Sequence, residues 1–327
     1  MQYKAPWWLP GGHLQTIWAA RMAHAENPLF PARYMRERWI TPDKDYIDVD
    51  RSRQATSAAR TDRPLLVLLH GLEGNSGSHY ARAFASFAMQ SGMDFAVPHF
   101  RGCSGTLNLA PRAYHSGDFA EVDWILRRLR AGHVGALYVV GVSLGGNALM
   151  RWAGEYGATA AAVVSAVVAV CAPLDLYAAG VALGRGFNRR VYTPMFLRSM
   201  KPRALQKLAQ YPGLFDADAL TEAADLYAFD NVFTAPLHGF KNTEDYWQRA
   251  SAKRHLADIR VPALLINPLN DPFVPAGSLP GHNVNAAHVT VWQPRTGGHI
   301  GFVQGQWPRG HIAALPDAVG NWLAADH

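Results

Sequence analysis

Short, continuous apolar runs that end at glycine or at a turn are the feature that most constrains the fold of this chain. Residues 64–71 (PLLVLLHG) are the clearest example. A run without polar alternation is typical of a strand buried on both faces of a sheet. Further candidate strands of the same kind occupy residues 95–98, 137–141, 163–170, 261–266 and 289–292.

Segments with helical periodicity separate these runs. Tyr80, Phe84, Phe87 and Ala88 share one helical face, and similar faces recur within residues 119–129 and 149–156. Alternation of strand and helix predicts an α/β fold, with a mostly parallel sheet and helices on both faces. A possible hairpin over residues 38–41 and 46–49 brings the expected sheet to about eight strands.

Residues 175–255 interrupt this alternation with a long, helix-leaning segment, which we interpret as a helical cap inserted between two strands. The α/β core is then expected to comprise residues 1–174 and 256–327. The chain of 327 residues, 49% of them apolar, is long enough for one such domain with an insertion. The first fifty residues are expected to wrap the sheet edge. The predicted cap is rich in aromatic residues, among them Phe196, Phe215, Tyr227, Phe229, Phe233, Phe240, Tyr246 and Trp247.

The charge distribution argues against a nucleic-acid partner. The formal net charge is +6, but Lys and Arg never form a run longer than two residues. Scattered charges predict a solvated, mildly basic surface. Cys103 and Cys171 form no CxxC pattern, and the chain contains no HExxH motif. We therefore predict no metal, no cofactor and no disulfide scaffold.

The N-terminal sequence favours a cytoplasmic protein. Pro6, Pro10 and two glycines interrupt the apolar stretch that a secretory signal requires. The longest apolar run, residues 158–172, is also shorter than the roughly twenty residues of a membrane-spanning helix. No integral membrane segment is expected, and the oligomeric state is not predicted.

A candidate nucleophile lies in the segment Gly141-Val-Ser143-Leu-Gly145, which is the GxSxG pattern of this chain. The pattern alone is weak evidence in a chain with 29 glycines. Here, however, it directly follows a predicted strand and precedes a predicted helix. Small residues on both sides of the serine permit the sharp turn that exposes its hydroxyl above the sheet. Ser143 is the predicted nucleophile.

A serine hydroxyl needs a neutral imidazole to take its proton. His299, in Gly297-Gly298-His299-Ile-Gly301, follows the last candidate strand and is the predicted base. His282, His288 and His311 are less well placed.

The acid that orients the base is expected where a preceding strand ends. Asp271 lies in a proline-bounded loop after residues 261–266 and is favoured. Asp175, which follows an earlier strand, stays open as the alternative acid.

The oxyanion of an acyl-transfer reaction needs backbone donors. We predict the N–H groups of Leu72, after the first long strand, and of Leu144, at the start of the helix that follows Ser143. His70, at the end of that first strand, is interpreted as a structural histidine.

The motifs of this chain resemble those of the α/β-hydrolase superfamily, and more narrowly of its YheT-like branch, over nearly the whole sequence. The resemblance rests on residues 11–16, 70–74, 101–105, 114–117, 141–146, 271–275 and 297–302. Residues 11–16 (GGHLQT) and 114–117 (YHSG) are specific to the branch. The resemblance implies a triad of Ser143, Asp271 and His299.

The resemblance also implies carboxylesterase-like activity on short- to medium-chain esters. Some eukaryotic relatives act on phospholipids or medium-chain ethyl esters. Two departures from the branch are expected: many relatives carry a second acid where this chain has Asn270, and no counterpart of the N-terminal membrane segment of the eukaryotic relatives is expected here.

The leading hypothesis is therefore a serine esterase that works through an acyl-enzyme. The aromatic cap suggests an apolar acyl pocket and a small-molecule ester or lipid-like substrate. Two alternatives stay open: a thioesterase or acyltransferase with the same triad, and a non-catalytic binding protein on a hydrolase scaffold.

Overall fold

The computed structural model describes residues 2–53, 62–281 and 286–325, and an eight-stranded sheet forms its centre. The strand order across the sheet is β1-β2-β4-β3-β5-β6-β7-β8. In chain order, the strands are Met35–Ile40 (β1), Tyr46–Ser52 (β2), Leu65–Leu69 (β3), Asp94–Pro98 (β4), Leu137–Val142 (β5), Ala166–Val170 (β6), Ala263–Ile266 (β7) and Val289–Trp292 (β8).

The sheet is parallel from β4 to β8, as the continuous apolar runs predict. Every residue of β3 and β6 is buried. The predicted hairpin is also present: β1 and β2 pair antiparallel, and β2 pairs antiparallel with β4. The predicted fold class, a mostly parallel sheet with helices on both faces, is confirmed.

Two strands begin later than the sequence suggests. β6 begins at Ala166 because residues Gly157–Ala162 form a 3₁₀ helix before it. β7 begins at Ala263 because Pro262 lacks the N–H that a ladder requires, although its carbonyl accepts a bond from Val167.

The helices lie before, between and after the strands. In chain order they are Gly12–Arg21 (α1), His79–Gln90 (α2), Phe119–Ala131 (α3), Leu144–Tyr156 (α4), Leu176–Leu183 (α5), Gly186–Gln210 (α6), Ala217–Glu222 (α7), Leu226–Phe229 (α8), Ala235–Leu237 (α9), Thr243–Ala250 (α10) and Ala314–Leu323 (α11). A π-helical turn, Asp230–Thr234, joins α8 to α9, and 3₁₀ turns cover Lys253–Asp258 and Ala276–Ser278.

The two faces of the sheet carry separate apolar cores. On one face, Ile125 of α3 and Trp152 of α4 pack against the strands. On the other, Phe84 of α2 and Trp322 of α11 do the same. Full burial of a large apolar side chain contributes about 1.5–3 kcal/mol, so these two layers stabilise the sheet from both sides.

Helices α5 to α10 separate β6 from β7 in the chain, and residues 171–262, all of them described, contain no strand. These helices have an apolar cluster of their own around Leu197, Leu220 and Phe233. The boundaries of a core at 1–174 and 256–327 and a cap at 175–255 stay a proposal. None of the helices among the described residues is long and apolar enough to cross a membrane.

The N-terminal segment lies partly where the sequence indicates. The β1–β2 hairpin forms the edge of the sheet. The segment before it does not follow that edge: Leu9 and Ala19 pack against Val303 and Ile312, near the end of the chain.

Substitution of the largest buried side chain tests this packing. Trp152 is fully buried, and its Nε1 donates to Asp123 at 3.0 Å. Trp152→Ala is expected to lower the free energy of unfolding by about 3–5 kcal/mol, measured by urea denaturation. Trp7 is 91% exposed. The matched control Trp7→Ala should therefore change stability by less than about 0.5 kcal/mol. Equal losses in both variants would contradict the packing described.

Candidate active site

The candidate site forms where the carboxyl ends of neighbouring strands meet. β3 leads into residues 70–74, β5 into Ser143, β7 into Asp271 and β8 into His299. Because parallel strands place all their carboxyl ends on one edge, loops far apart in sequence converge there.

Ser143 lies in a strained turn between β5 and α4, with φ 53° and ψ −118°. The two glycines of the pattern are required by close approach. A Cβ at Gly141 would lie 2.5 Å from the carbonyl oxygen of Gly145, and one at Gly145 would lie 2.4 Å from that of Leu69. The strained backbone exposes the hydroxyl at the sheet edge, as the sequence context predicts.

The structure brings the three predicted triad residues together. His299 Nε2 lies 3.1 Å from Ser143 Oγ, and His299 Nδ1 lies 2.8 Å from Asp271 Oδ2. With Nδ1–H donating to the carboxylate, Nε2 presents its lone pair to the serine hydroxyl. The other oxygen of Asp271 accepts N–H bonds from Phe273 and Val274, at 2.8 and 3.2 Å. These bonds fix the buried carboxylate.

The competing residues lie elsewhere. Asp175 caps the N-terminus of α5, where its side chain accepts the N–H of Ala178 at 3.1 Å. His288 and His311 are exposed, whereas His299 is 7% exposed. His282 lies outside the described residues.

Helix α1 supports the backbone of His299. His299 N–H donates to Thr16 Oγ1 at 2.8 Å, and the threonine hydroxyl in turn donates to the carbonyl of Gly12 at 2.7 Å. A buried N–H without an acceptor would cost about 1–3 kcal/mol. The N-terminal GGHLQT segment therefore supplies a hydrogen bond that holds the His299 loop.

Gln15 and Asn270 form hydrogen bonds with each other and with the glycines that precede His299. Gln15 Oε1 accepts bonds from Gly297 N and Asn270 Nδ2, at 2.9 and 3.0 Å. Asn270 Oδ1 accepts the N–H of Gly298 at 3.0 Å. An amide here both donates and accepts, which an ionised carboxylate cannot do. Sequence reasoning treated Asn270 only as a lost acid and missed this positioning role; the branch-specific residues 11–16 were the available signal.

The two predicted oxyanion donors line the same cavity as Ser143. A Cβ at Gly71 would lie 3.3 Å from the Ser143 Cβ, so the loop that carries Leu72 approaches the nucleophile closely. In the described part of the chain, neither Leu72 N–H nor Leu144 N–H donates to a protein acceptor. Leu144 also begins α4, whose N-terminus carries positive partial charge.

A cavity with an empty volume of about 1160 Å³, including the space at its opening, lies between the triad and the helical insertion. Most of its wall is apolar. The predicted cap aromatics that line it are Phe196, Phe229, Phe233, Tyr246 and Trp247. Phe215, Tyr227 and Phe240 lie outside the lining and pack within the insertion.

One part of the cavity wall is polar. Glu73, with φ 58°, accepts bonds from Tyr114 OH at 2.8 Å and from Arg203 of α6 at 2.9 Å. This ion pair with Arg203 therefore links the insertion to the loop that carries Leu72. Nearby, Lys207 donates only to neutral oxygens, and burial lowers the pKa of its ammonium to about 8.

The branch-specific residues 114–117 connect the core to the insertion. Asn147 of α4 is fully buried and donates to the carbonyls of Ser116 and Ala250, at 3.0 and 2.9 Å. Its own oxygen accepts Ala252 N–H at 2.9 Å. Asn147 is not singled out by the sequence analysis, because no local pattern signals this role.

Within the described ranges, one buried group of side chains has a spacing that suits a metal ion. Cys171 Sγ, an Asp271 oxygen and a His299 nitrogen lie within 4.8 Å of one another. The thiol accepts Ile300 N–H at 3.2 Å, and burial raises its pKa well above the usual range. A shared ion would have to displace the bond between His299 and Asp271, so these residues fit a triad better than a metal site.

His70 has a structural role, as interpreted from the sequence. Its Nε2 accepts Phe100 N–H at 3.0 Å, which leaves the proton on Nδ1, 2.8 Å from the Gly71 carbonyl. Burial lowers the pKa of His70 to about 3.

The fold and the site geometry define a hydrolase class. A model of the α/β-hydrolase fold family matches residues 64–306, and this chain belongs to that family. YheT of Escherichia coli (strain K12), named only as a proposed esterase, is 36% identical over 320 residues, which cover 96% of this chain and 91% of YheT. The predicted resemblance to the YheT-like branch is confirmed.

Other known proteins extend the comparison. Phospholipase ABHD3 of Mus musculus is 28% identical over 287 residues, which cover 85% of this chain and 69% of that protein. The esterase Pf2001 of Pyrococcus furiosus aligns with a TM-score of 0.54, covering 89% of this chain and 90% of its own, at 16% identity. That similarity shows a shared fold. The predicted enzyme class, a carboxylic-ester hydrolase, is confirmed by these comparisons.

Removal of the Thr16 hydroxyl tests the support of the histidine loop. Thr16→Val keeps the side-chain shape and deletes the acceptor of His299 N–H. We expect kcat for ester hydrolysis to fall about tenfold to a hundredfold with little change in KM, because small displacements of a catalytic group are costly. The control is Thr221→Val, an exposed threonine whose hydroxyl donates to Ala217. An unchanged kcat in Thr16→Val would exclude the positioning role.

Three histidines with strongly lowered pKa values predict acid lability. Burial lowers the pKa of His70 and His115 to about 3 and that of His79 to about 4. In the unfolded chain a histidine titrates near about 6.5, so below that pH the unfolded state binds protons that the folded state does not. Burial also raises the pKa of Glu121 to about 7 and that of Asp230 to about 6, so these two carboxyls bind protons in the folded state over the same range and offset part of the effect. Because the histidines outnumber these carboxyls, the free energy of unfolding should still fall as the pH is lowered from about 6.5 towards 4.

Urea denaturation at successive pH values measures this slope. His79→Gln should flatten this slope, because it removes one of the histidines whose pKa is lowered. The exposed control His288→Asn should leave the slope as it is in the wild type. Stability that stays constant between about pH 6.5 and 4 would contradict the prediction.

Proposed function

We propose that this enzyme hydrolyses short- to medium-chain carboxylic esters through an acyl-enzyme on Ser143. The observation that carries the proposal is the hydrogen-bonded chain from Ser143 Oγ through His299 to Asp271, at 3.1 and 2.8 Å, at the base of an apolar cavity. This arrangement supplies a nucleophile, a base and the group that orients the base.

In the first half-reaction, Ser143 Oγ bonds to the ester carbonyl carbon while its proton passes to His299 Nε2. The carbonyl oxygen becomes an oxyanion, which the N–H groups of Leu72 and Leu144 stabilise. The carbon–oxygen bond to the alcohol then breaks, and the imidazolium gives its proton to the departing oxygen.

In the second half-reaction, water replaces the alcohol. His299 takes a proton from the water as its oxygen attacks the acyl carbon, and Ser143 regains a proton when the acid leaves. Asp271 stays ionised throughout and stabilises the imidazolium. Activity should fall at acid pH, since a protonated imidazole cannot accept the serine proton.

The cavity supports an uncharged acyl chain as substrate. Aromatic side chains of the insertion form much of its wall. The cationic side chains that line it are already paired, Arg203 with Glu73, Arg101 with Glu121 and Lys207 with neutral oxygens. Removal of apolar surface from water favours binding by about 25 cal/mol per Å², so affinity should rise with chain length until the cavity is filled. The cytoplasmic location remains a prediction from the sequence.

Hydrolysis of p-nitrophenyl esters from acetate to palmitate tests the proposal. We expect an optimum at short or medium chain length, and a loss of several orders of magnitude in kcat for Ser143→Ala with an unchanged fold. Asp271→Asn should also lose most activity, whereas Asp175→Asn, at the cap of α5, should retain it. The same series run with thioesters, and with added alcohols, measures thioesterase and acyl-transfer activity.

Two results would reject the proposal. The first is near-wild-type turnover in Ser143→Ala. The second is no turnover at any chain length together with no labelling of Ser143 by a fluorophosphonate, which would favour a binding protein on a hydrolase scaffold.

A further inference from the structure

Helix α6 differs from the rest of the chain in its charge. It is 25 residues long and contains no Asp or Glu. Its cationic residues are Arg189, Arg190, Arg198, Lys201, Arg203 and Lys207. A long helix with one sign of charge is typical of a surface that meets an anionic partner.

The solvent side of α6 also exposes apolar side chains in a regular row. Phe187, Val191 and Met195 are 47%, 39% and 45% exposed. Positions four residues apart lie about 40° from one another around a helix, so the three form one stripe. Exposed apolar residues in a contiguous stripe mark an interaction site more often than scattered ones do.

Two arginines lie on the same side of the helix as this stripe. Arg190 and Arg198 are exposed and lie within about 60° of Phe187 around the helix axis. Across the residues that the structure describes, neither forms an ion pair with a carboxylate. We define the outer face of α6 as Phe187, Arg190, Val191, Met195 and Arg198.

Helix α1 extends the outer face at its N-terminal end. The rings of His13 and Phe187 lie 4.4 Å apart, and His13 Nδ1 is 3.3 Å from the hydroxyl of Tyr192. Leu14, the next residue of α1, is 48% exposed. Apolar surface from two elements is therefore adjacent here.

The opposite side of α6 belongs to the cavity. Phe196, Met200 and Arg203 line it together with Ser143. A single helix, about 10 Å across, thus separates the outer face from the candidate substrate cavity.

We propose that the outer face of α6 docks on an anionic lipid surface. Apolar side chains on such a helix enter the boundary between headgroups and acyl chains, while arginines attract anionic headgroups. The mixture of a short apolar stripe with unpaired arginines fits this occupant. A protein partner that matched the arginines would need carboxylates and an apolar groove together, whereas a lipid surface supplies both kinds of contact without a fixed shape.

Co-sedimentation with vesicles tests the docking surface. The full chain is mixed with vesicles of phosphatidylcholine alone, or of phosphatidylcholine with phosphatidylglycerol. We expect binding to the mixed vesicles only, weakened by added salt because salt screens the arginines. A Phe187→Ser, Val191→Ser, Met195→Ser triple variant should bind at least about tenfold more weakly, and so should Arg190→Glu with Arg198→Glu.

Matched controls are available on other surfaces. Val134 is 76% exposed and Arg33 is exposed, and both lie outside α1 and α6. Val134→Ser and Arg33→Glu should bind as the wild type does. Circular dichroism and hydrolysis of soluble p-nitrophenyl butyrate, expected to be unchanged in every surface variant, show that each variant is folded.

The docking proposal can be tested independently of the esterase proposal. Ser143→Ala should bind vesicles as the wild type does, so failure of the esterase proposal would leave this test intact. No sedimentation with anionic vesicles, or equal sedimentation of all variants, would overturn the docking proposal. Binding of an RNA oligonucleotide that depends on Arg190 and Arg198, without vesicle binding, would overturn it too and assign the face to nucleic acid.

Discussion

The hydrogen bond between His299 Nε2 and Ser143 Oγ joins residues 156 positions apart, and the rest of the site depends on it. It forms because β5 and β8 run in the same direction, so that the loops after them meet at one edge. The serine reaches that edge in a strained turn that only small neighbours permit. The sheet thus places the two loops next to each other, and the glycines allow the backbone segments around Ser143 to approach closely.

Hydrogen bonds to Asp271 and to residues of α1 hold His299 in position for this bond. Asp271 accepts two backbone N–H groups as well as the imidazole N–H, so its buried charge is compensated. Thr16 and Gln15 of α1 satisfy the backbone of the His299 loop. A helix from the start of the chain therefore completes a site whose chemical groups come from its middle and end. Loss of one such partner exposes an unsatisfied buried group.

Helix α6 lies between the cavity and the protein surface. Its inner side contributes Phe196, Met200 and Arg203 to the cavity wall, and Arg203 meets Glu73 beside the predicted oxyanion donors. Its outer face carries the arginines and apolar residues proposed to contact lipid. The same element thus shapes the space for an acyl chain and presents a surface suited to the phase in which acyl chains reside.

The sequence by itself determined the sheet, the parallel direction of most of its strands, the nucleophile turn and the identity of the triad candidates. These follow from local patterns: apolar runs, helical periodicity, and glycines around Ser143 and His299. Tertiary structure alone decided that Asp271 rather than Asp175 meets His299, since both follow strands and only the packing of α5 uses Asp175 as a cap. It also gave Asn270, Gln15, Thr16 and Asn147 their roles. Those contacts, such as Gln15 to Gly297, span 282 residues, and local sequence patterns carry no information about pairings at such separations.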